Sequence, residues 1–296
     1  MHDSSDDPSS PSPDKSPDVD ERPPAARLAW ATAAALREGD LEAAQRHCDA
    51  ALTLARAEGH EAGVASVQTI LGRVLHTRGD LDTAATVLGN ALATQRRMVA
   101  DRPLVNTLLE LGALHATCGE LDAAESAYLE ALTRFARLKV SVPEAQAQLG
   151  IAAVHHAAGR LDPARRHGEI ALGVAHQADD HTLSAQCREL LGAIDHESGR
   201  RLRARAAYRD AASAWHRLGD RPGEARCELA LARLAIDDEE PVTDTLDALE
   251  QDPAVQRQPW LMGRVACLRG VSLGRQGDRL AYSVLAHGAA LLDGHP

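Results

Sequence analysis

A six-residue phrase returns along this chain every 40 residues. Its copies read Gly-Asp-Leu-Glu-Ala-Ala, Gly-Asp-Leu-Asp-Thr-Ala, Gly-Glu-Leu-Asp-Ala-Ala and Gly-Arg-Leu-Asp-Pro-Ala, and they begin at Gly39, Gly79, Gly119 and Gly159. Gly199 continues the series. A fixed period of this length indicates a solenoid, in which each unit buries its apolar face against its neighbours. The period therefore constrains the architecture before any single residue is considered.

Each copy of the phrase predicts a turn between two helices. The glycine stands where the C-terminus of a helix needs a left-handed residue. The acidic residues that follow it, such as Asp40 and Asp80, can cap the next helix or complement its dipole. Pro103 and Pro143, also 40 residues apart, suit the first turn of a helix, where a missing N–H costs nothing. The unit is therefore a helix, a turn and a second helix.

Small residues recur at fixed places on both helices of the unit. The second helix has alanine five and twelve residues after each turn glycine: Ala44, Ala84, Ala124, Ala164 and Ala204, then Ala51, Ala91, Ala131, Ala171 and Ala211. The first helix has a Leu-Gly, Ile-Ala or Leu-Ala pair eight and seven residues before the turn, as at Leu111-Gly112. Because these slots lie on one helical face, they predict close contact between helix backbones.

The two ends of the repeat array differ from its middle. Residues 1–24 are rich in Pro, Ser and Asp and predict a disordered acidic tail. Residues 25–292 predict the solenoid, with an irregular sixth unit near 237–255, where Glu239 stands in place of the glycine. The pair at 257–292 is expected to cap the array.

Composition narrows the classes of partner. The chain has 296 residues, a formal net charge of −11 and one Phe, three Tyr and three Trp. An acidic chain does not favour nucleic acid or anionic membranes as partners. No apolar stretch near the start is long enough to cross a bilayer. The five cysteines form no Cys-x-x-Cys pair. We therefore expect a cytoplasmic protein whose cysteines are reduced thiols.

These residues resemble the tetratricopeptide repeat, most closely at Leu111, Gly112, Gly119, Ala124, Tyr128 and Ala131. The resemblance covers residues 25–292, although the period is 40 rather than 34 and the large aromatic near the start of the first helix is absent. It implies an all-α, right-handed superhelical solenoid of about seven helix pairs. The long period is similar to that of helical sensor regions in bacterial signalling regulators, which bind peptides or partner proteins.

By position in this family, the first helices line a concave binding face. One row on that face predicts hydrogen bonds to the backbone of a bound peptide: Ser66, Asn106, Gln146, Gln186 and Arg226. The alternative is an exposed row that is polar by default. The family's carboxylate clamp is missing, because alanines stand at most of its positions and only Arg73 and Arg233 are basic there.

A second row carries histidines three residues before the turn: His76, His156 and His196. Zinc is disfavoured, since packed helices lie about 8–10 Å apart and a ligand nitrogen must approach zinc to about 2.1 Å. A histidine in the last turn can instead answer the helix dipole or make the face pH-sensitive. We expect no metal and no cofactor.

A third group is the basic cluster that begins the fifth second helix, at Arg200, Arg201, Arg203, Arg205 and Arg209. Without interleaved aromatic residues it indicates a solvated helix face or a contact with an acidic partner rather than nucleic acid. The cluster therefore adds no nucleic-acid-binding function.

Three functions fit the sequence. The first is a non-catalytic module that binds a protein or peptide on its concave face. The second is a peptide-responsive signalling regulator that acts through a separate output protein. The third is an enzyme that uses His76, His156 or His196 as acid and base, although no catalytic motif supports it. The sequence does not specify an oligomeric state.

Overall fold

The computed structural model describes residues 24–138 and 141–292, and all regular structure in this part of the chain is helical. The predicted tail lies outside these ranges, except for Pro24, which begins the first helix. The described residues form two compact units, divided after Val99. The first unit contains four helices, each packed on the next: α1 (Pro24–Glu38), α2 (Leu41–Ala57), α3 (Glu61–Arg78) and α4 (Leu81–Arg97).

The second unit continues the same alternation. Its regular helices are α5 (Asp101–Thr117), α6 (Leu121–Leu138), α7 (Ser141–Ala157), α8 (Leu161–Gln177), α9 (His181–Glu197), α10 (Arg201–Leu218) and α11 (Arg221–Asp237). They are followed by α12 (Thr243–Gln251), α13 (Pro253–Gln256), α14 (Pro259–Arg275) and α15 (Ala281–Leu292). Sequence neighbours pack as pairs, and the successive first helices α5, α7, α9 and α11 also contact one another. The predicted all-α helical solenoid is confirmed.

The turn glycines adopt the backbone conformation that the sequence predicts. All five have φ between 70° and 85°: Gly39, Gly79, Gly119, Gly159 and Gly199. The prediction for the capping acids is right at Asp40, whose side chain accepts a hydrogen bond from the Ala43 amide. It is wrong at Asp80, whose side chain makes no capping hydrogen bond. The turn therefore depends on the glycine more than on the acid.

Small and large side chains interlock where the helices of a pair meet. The ten alanine slots are at most 5% exposed, which confirms the predicted backbone contact. Opposite them, a large residue of the second helix fills the notch left by a glycine of the first: Leu88 on Gly72, Tyr128 on Gly112, Tyr208 on Gly192 and Leu285 on Gly270. A Cβ atom built on any of these four glycines would lie within 3.0 Å of that side chain.

Tyr128 is held on both sides. Its ring, on α6, lies against Gly112 of α5 and also against Gly150 of α7, so that it wedges between two successive first helices. Only 6% of the residue is exposed. Burial, with Glu110 nearby, raises the pKa of its phenol. The ring therefore sets the spacing of α5 and α7.

The sixth unit breaks the pattern in a specific way. Glu239, which replaces the expected glycine, still adopts a left-handed backbone with φ of 60°. The chain then forms two short helices, α12 and α13, in place of one long second helix. Leu246, Leu249 and Val255 from this segment are at most 1% exposed and join one cluster with residues of α11 and α14. The irregular segment thus fills the place of a second helix by packing alone.

Candidate peptide-binding face

Three amide side chains form an exposed row on the first helices of the second unit. Asn106, Gln146 and Gln186 lie 40 residues apart on α5, α7 and α9. Each is exposed, and none makes a hydrogen bond or ion pair to another described residue. Because neighbouring first helices contact each other, the row crosses the helices rather than following one of them. We call these three residues the amide row.

The other two members of the predicted row are occupied within the protein. In the first unit, the Ser66 hydroxyl donates a hydrogen bond to the Ala62 carbonyl of its own helix, 2.9 Å away. In the second unit, Arg226 donates to both carboxylate oxygens of Glu189, at 2.8 and 3.0 Å. Ser66 and Arg226 are therefore less available to a ligand than the amide row.

Arg226 belongs to a cluster that the sequence did not reveal. Its guanidinium lies 5.6 Å from the centre of the Trp215 ring, and the Trp215 N–H donates to the same Glu189 carboxylate at 3.3 Å. Trp215 is 3% exposed, and it packs on Gly223, where a Cβ would come within 2.7 Å of the ring. The cluster ties α9, α10 and α11 together and fixes one end of the first-helix face.

The histidine row contacts carboxylates of the following repeat. Nε2 of His156 lies 3.0 Å from Oε1 of Glu197, an ion-pair distance without hydrogen-bond geometry. Nε2 of His196 lies 3.4 Å from Oδ2 of Asp237. Each acid follows its histidine by 41 residues. A search for complementary charges one repeat plus one residue apart could have found both pairs.

The Asp237 carboxylate contacts basic side chains from three helices. Arg233, one turn earlier, and Arg275 of α14 approach its carboxylate at 3.6 and 3.0 Å, besides His196. These cations and hydrogen bonds outweigh the effect of burial and hold the pKa of the Asp237 carboxyl below its usual range. The last part of the first-helix face is therefore stabilised by ion pairs rather than left open.

The remaining two candidates lie on α3 in the first unit. Arg73 is exposed, and His76 is half-buried. Burial lowers the pKa of the His76 imidazole, so at neutral pH this ring is uncharged. In the second unit, His156 and His196 each have a carboxylate within 3.4 Å.

Another histidine pair lies one position from the row. The rings of His155 on α7 and His167 on α8 stack with their centres 5.4 Å apart, and Nδ1 of His167 lies 2.7 Å from the Gln148 amide oxygen. Burial lowers the pKa of both imidazoles. Among the described side chains, no group of three or more His, Cys, Asp or Glu residues is arranged to hold a metal ion.

Three arginines of the basic cluster pair with acids of this chain, while the helix face that carries the cluster is exposed at Arg201, Arg203 and Arg209. Arg201 and Arg205 pair with Asp238, and Arg205 also donates to both oxygens of Glu240 at 3.0 Å. Arg200 donates to Asp195 at 2.8 Å. The helix α10 is thus bound to the end of α11 by charge. Only two arginines of the cluster have no partner among the described residues, Arg203 and Arg209.

A shallow pocket of about 310 Å³ lies between α8 and α10 over α9. Its apolar part includes Leu172 and Leu191, and its rim includes Arg165 and Arg203. Arg165 pairs with the buried carboxylate of Asp195. The pocket contains no residue of the amide row or the histidine row, so it is separate from the candidate face.

The architecture has counterparts among solved structures. The apo form of RapI has a TM-score of 0.71 and 12% sequence identity, over 91% of this chain and 97% of RapI. The Rap conjugation gene regulator of plasmid pLS20, in complex with the Phr* peptide, has a TM-score of 0.72 and 15% identity, over 91% of this chain and 73% of that protein.

A signal transduction ATPase of Pyrococcus horikoshii with a tetratricopeptide repeat sensor has a TM-score of 0.64 and 11% identity, over 90% of this chain and 41% of that protein. The chain has a tetratricopeptide-repeat-like fold. At these identities the likeness concerns the fold alone. No protein-family model and no curated protein sequence matches the chain. No described helix combines the length and apolarity needed to span a membrane.

Proposed function

We propose that this protein is a non-catalytic binding module that holds an extended peptide, or an extended segment of a partner protein, across α5, α7 and α9. The amide row carries the proposal. An exposed carboxamide offers one acceptor and two donors, which match the N–H and C=O groups of an extended backbone. Asn106, Gln146 and Gln186 have no competing partner among the described residues, so binding would not have to break an existing contact.

The spacing of the row sets the expected length of the ligand. Packed helices lie about 8–10 Å apart, and an extended chain rises about 3.3 Å per residue, so neighbouring amides would meet every third residue. Three amides then span about 16–20 Å, which is about five to six steps along the chain and therefore about six to seven residues of peptide. Seven residues after each amide, two turns further along the same face of the helix, stand Ala113, Ala153 and Ala193. Their small side chains would leave room for the ligand's side chains.

The test is a selection from a random peptide library displayed on phage, followed by calorimetry on the selected peptide. Replacing Asn106, Gln146 and Gln186 together with alanine should weaken binding at least about tenfold, because three lost hydrogen bonds at about 0.5–1.5 kcal/mol each total about 1.5–4.5 kcal/mol. Gln177→Ala is the matched control, since Gln177 is an exposed amide on the second helix α8. Equal affinity of the triple variant and the control would refute the proposal.

A second candidate function is a peptide-responsive regulator that acts through a separate output protein. Its support is the similarity of fold to the pLS20 regulator, whose structure contains the Phr* peptide. We infer that such a switch would operate in the cytoplasm and would change the dimensions of the solenoid. Small-angle scattering with saturating selected peptide tests this, and an unchanged radius of gyration would count against it.

The enzyme interpretation is a separate prediction with its own test. It assigns acid and base roles to His76, His156 and His196. We expect no loss of peptide binding and no change in any cellular phenotype of the gene when all three become alanine in a protein that still folds. A lost phenotype with peptide binding intact would favour the enzyme.

A further inference from the structure

The last helix, α15, is unlike the other second helices of the repeat. Ala281–Leu292 contains no Asp, Glu, Lys or Arg, although it carries the exposed His287, whereas α2, α4, α8 and α10 each carry at least three such residues. Those four helices bury four or five residues each, and α15 buries only Gly288. An apolar helix with so little of its surface covered is a docking surface by its composition.

The inner side of α15 is well packed. Leu285 fills the notch at Gly270, and Gly288 approaches α14 so closely that an added Cβ would meet the Cys267 backbone nitrogen at 2.8 Å. The exposed surface therefore does not result from a loosely attached helix. It lies on the sides that turn away from α14.

Interior repeats indicate what should cover one of these sides. Leu285 on α15 and Tyr208 on α10 both fill the notch of their own pair, and this equivalence places Leu291 at the position of Ala214. Ala214 is 6% exposed, in a cluster that includes Cys227 of the next first helix. Leu291 remains half-exposed. In the interior of the array, then, this side of a second helix is covered by another helix.

The outer side carries exposed apolar residues, with the polar Ser283 and His287 exposed among them. Tyr282 is 83% exposed, and Leu280, just before the helix, is 62% exposed. Ala286 and Ala289 continue the exposed side one and two turns further on. A terminal repeat of a solenoid normally presents a polar outer face. The prediction that this pair caps the array does not account for these residues.

We propose that α15 binds α15 of a second copy of this chain, with the two helices antiparallel about a two-fold axis near Ala286. Charge favours this occupant. The chain has a net charge of −11 with histidine counted as neutral, so two copies repel each other over most surfaces, but two α15 helices bring no Asp, Glu, Lys or Arg of the helix together. A two-fold contact also places the same surface on both partners, so self-complementarity is the only requirement.

The size of the surface predicts a weak dimer. A helix of 12 residues is about 18 Å long, so one helix pair buries roughly 600–800 Å² in total. Stable complexes bury about 1,200–2,000 Å². The dimer should therefore form only at micromolar concentrations or above, and peptide binding does not require it.

Sedimentation equilibrium tests the proposal at about 1–500 µM protein, the range in which an interface of this size associates. The wild type should be in reversible monomer–dimer equilibrium. Ala286→Glu and Ala286→Lys should each weaken the dimer at least about tenfold, because each places two like charges face to face. An equimolar mixture of the two variants should restore it. Leu202→Glu, which changes a leucine that is 87% exposed on α10, should dimerise as the wild type does.

Each contrary result would overturn the proposal. A wild type that stays monomeric over the whole range excludes the dimer. Association that survives both Ala286 variants places the contact on another surface. Disruption by each variant without restoration in the mixture excludes the two-fold arrangement, and leaves a different partner helix as the occupant. Circular dichroism identical to that of the wild type establishes that the variants are folded.

Discussion

Replacing Gly150 with alanine would place a methyl group on the ring of Tyr128. A Cβ at this position lies 2.3 Å from Cζ, 2.5 Å from Cε1 and 2.7 Å from Cε2, whereas non-bonded carbons pack at about 3.5–4.0 Å. The ring must therefore move by more than about 1 Å. Movement toward α5 is restricted, because the ring already packs against Gly112, so closely that a Cβ there would lie 2.7 Å from Cε1 and Cζ.

The expected cost is the difference between two effects. Overpacking of this kind costs about 1–3 kcal/mol. Glycine to alanine in a helix contributes about 0.5–1 kcal/mol of stability. We therefore expect Gly150→Ala to lower the free energy of unfolding by about 1–2 kcal/mol, and the melting temperature by about 2–8 °C.

Gly173→Ala is the matched control. Gly173 lies in the middle of α8, and a Cβ there meets nothing within 4 Å. This variant should gain the helical contribution alone, and its melting temperature should rise by about 1–4 °C. In a Tyr128→Ala background, Gly150→Ala should also become stabilising, because the clash is gone. Thermal melts followed by circular dichroism measure the wild type, the three single variants and the double variant. A Gly150→Ala variant as stable as Gly173→Ala would refute the conclusion that the Tyr128 ring is packed tightly between α5 and α7.

Three further predictions concern other contacts. Since burial lowers the pKa values of His155 and His167, the folded state binds fewer protons than the unfolded state, whose histidines titrate near 6.5. The stability that the two uncharged histidines contribute is complete above that pH and is lost as the pH falls. The melting temperature should therefore drop between pH 7.5 and 5.5, and it should drop less steeply in His167→Gln. Parallel curves of melting temperature against pH for the two proteins would contradict this. Asp195→Asn leaves Arg165 without its buried partner and should lower the free energy of unfolding, measured by urea denaturation, by about 1–3 kcal/mol. An unchanged midpoint of the urea transition would show that solvent replaces the pair. Ala131→Leu, at a fully buried slot, should cost about 1–3 kcal/mol by overpacking, and an unchanged melting temperature would mean that the slot is not a helix contact.

The fold could be predicted from the sequence because each signal, such as the turn glycine or the alanine slots, occurs several times at the same interval. A single Gly119 would be a weak turn signal, but five glycines at one interval, all with positive φ, leave little freedom for another interpretation. The alanine slots were predictable for the same reason. Glu239 shows the limit, since its left-handed backbone and the short helices after it depend on local packing that no period encodes.

The candidate site was predictable only in part. Position in the repeat identified the row that contains Asn106, Gln146 and Gln186, because that position is read from the period alone. It could not separate them from Arg226, which depends on Glu189, 37 residues away, and on the ring of Trp215. Such partners lie on different helices, and their side-chain directions decide whether a polar group is free or bound.

The proposed function requires that the amide row binds the backbone of an extended peptide. Its most direct test is an ester scan of a selected peptide, in which each backbone N–H is replaced in turn by oxygen and the affinity is measured by calorimetry. We expect losses of affinity at positions about three residues apart, following the spacing of the helices, and no such losses with the triple amide variant. Affinity that is insensitive to every ester, or losses without that spacing, would contradict the claim.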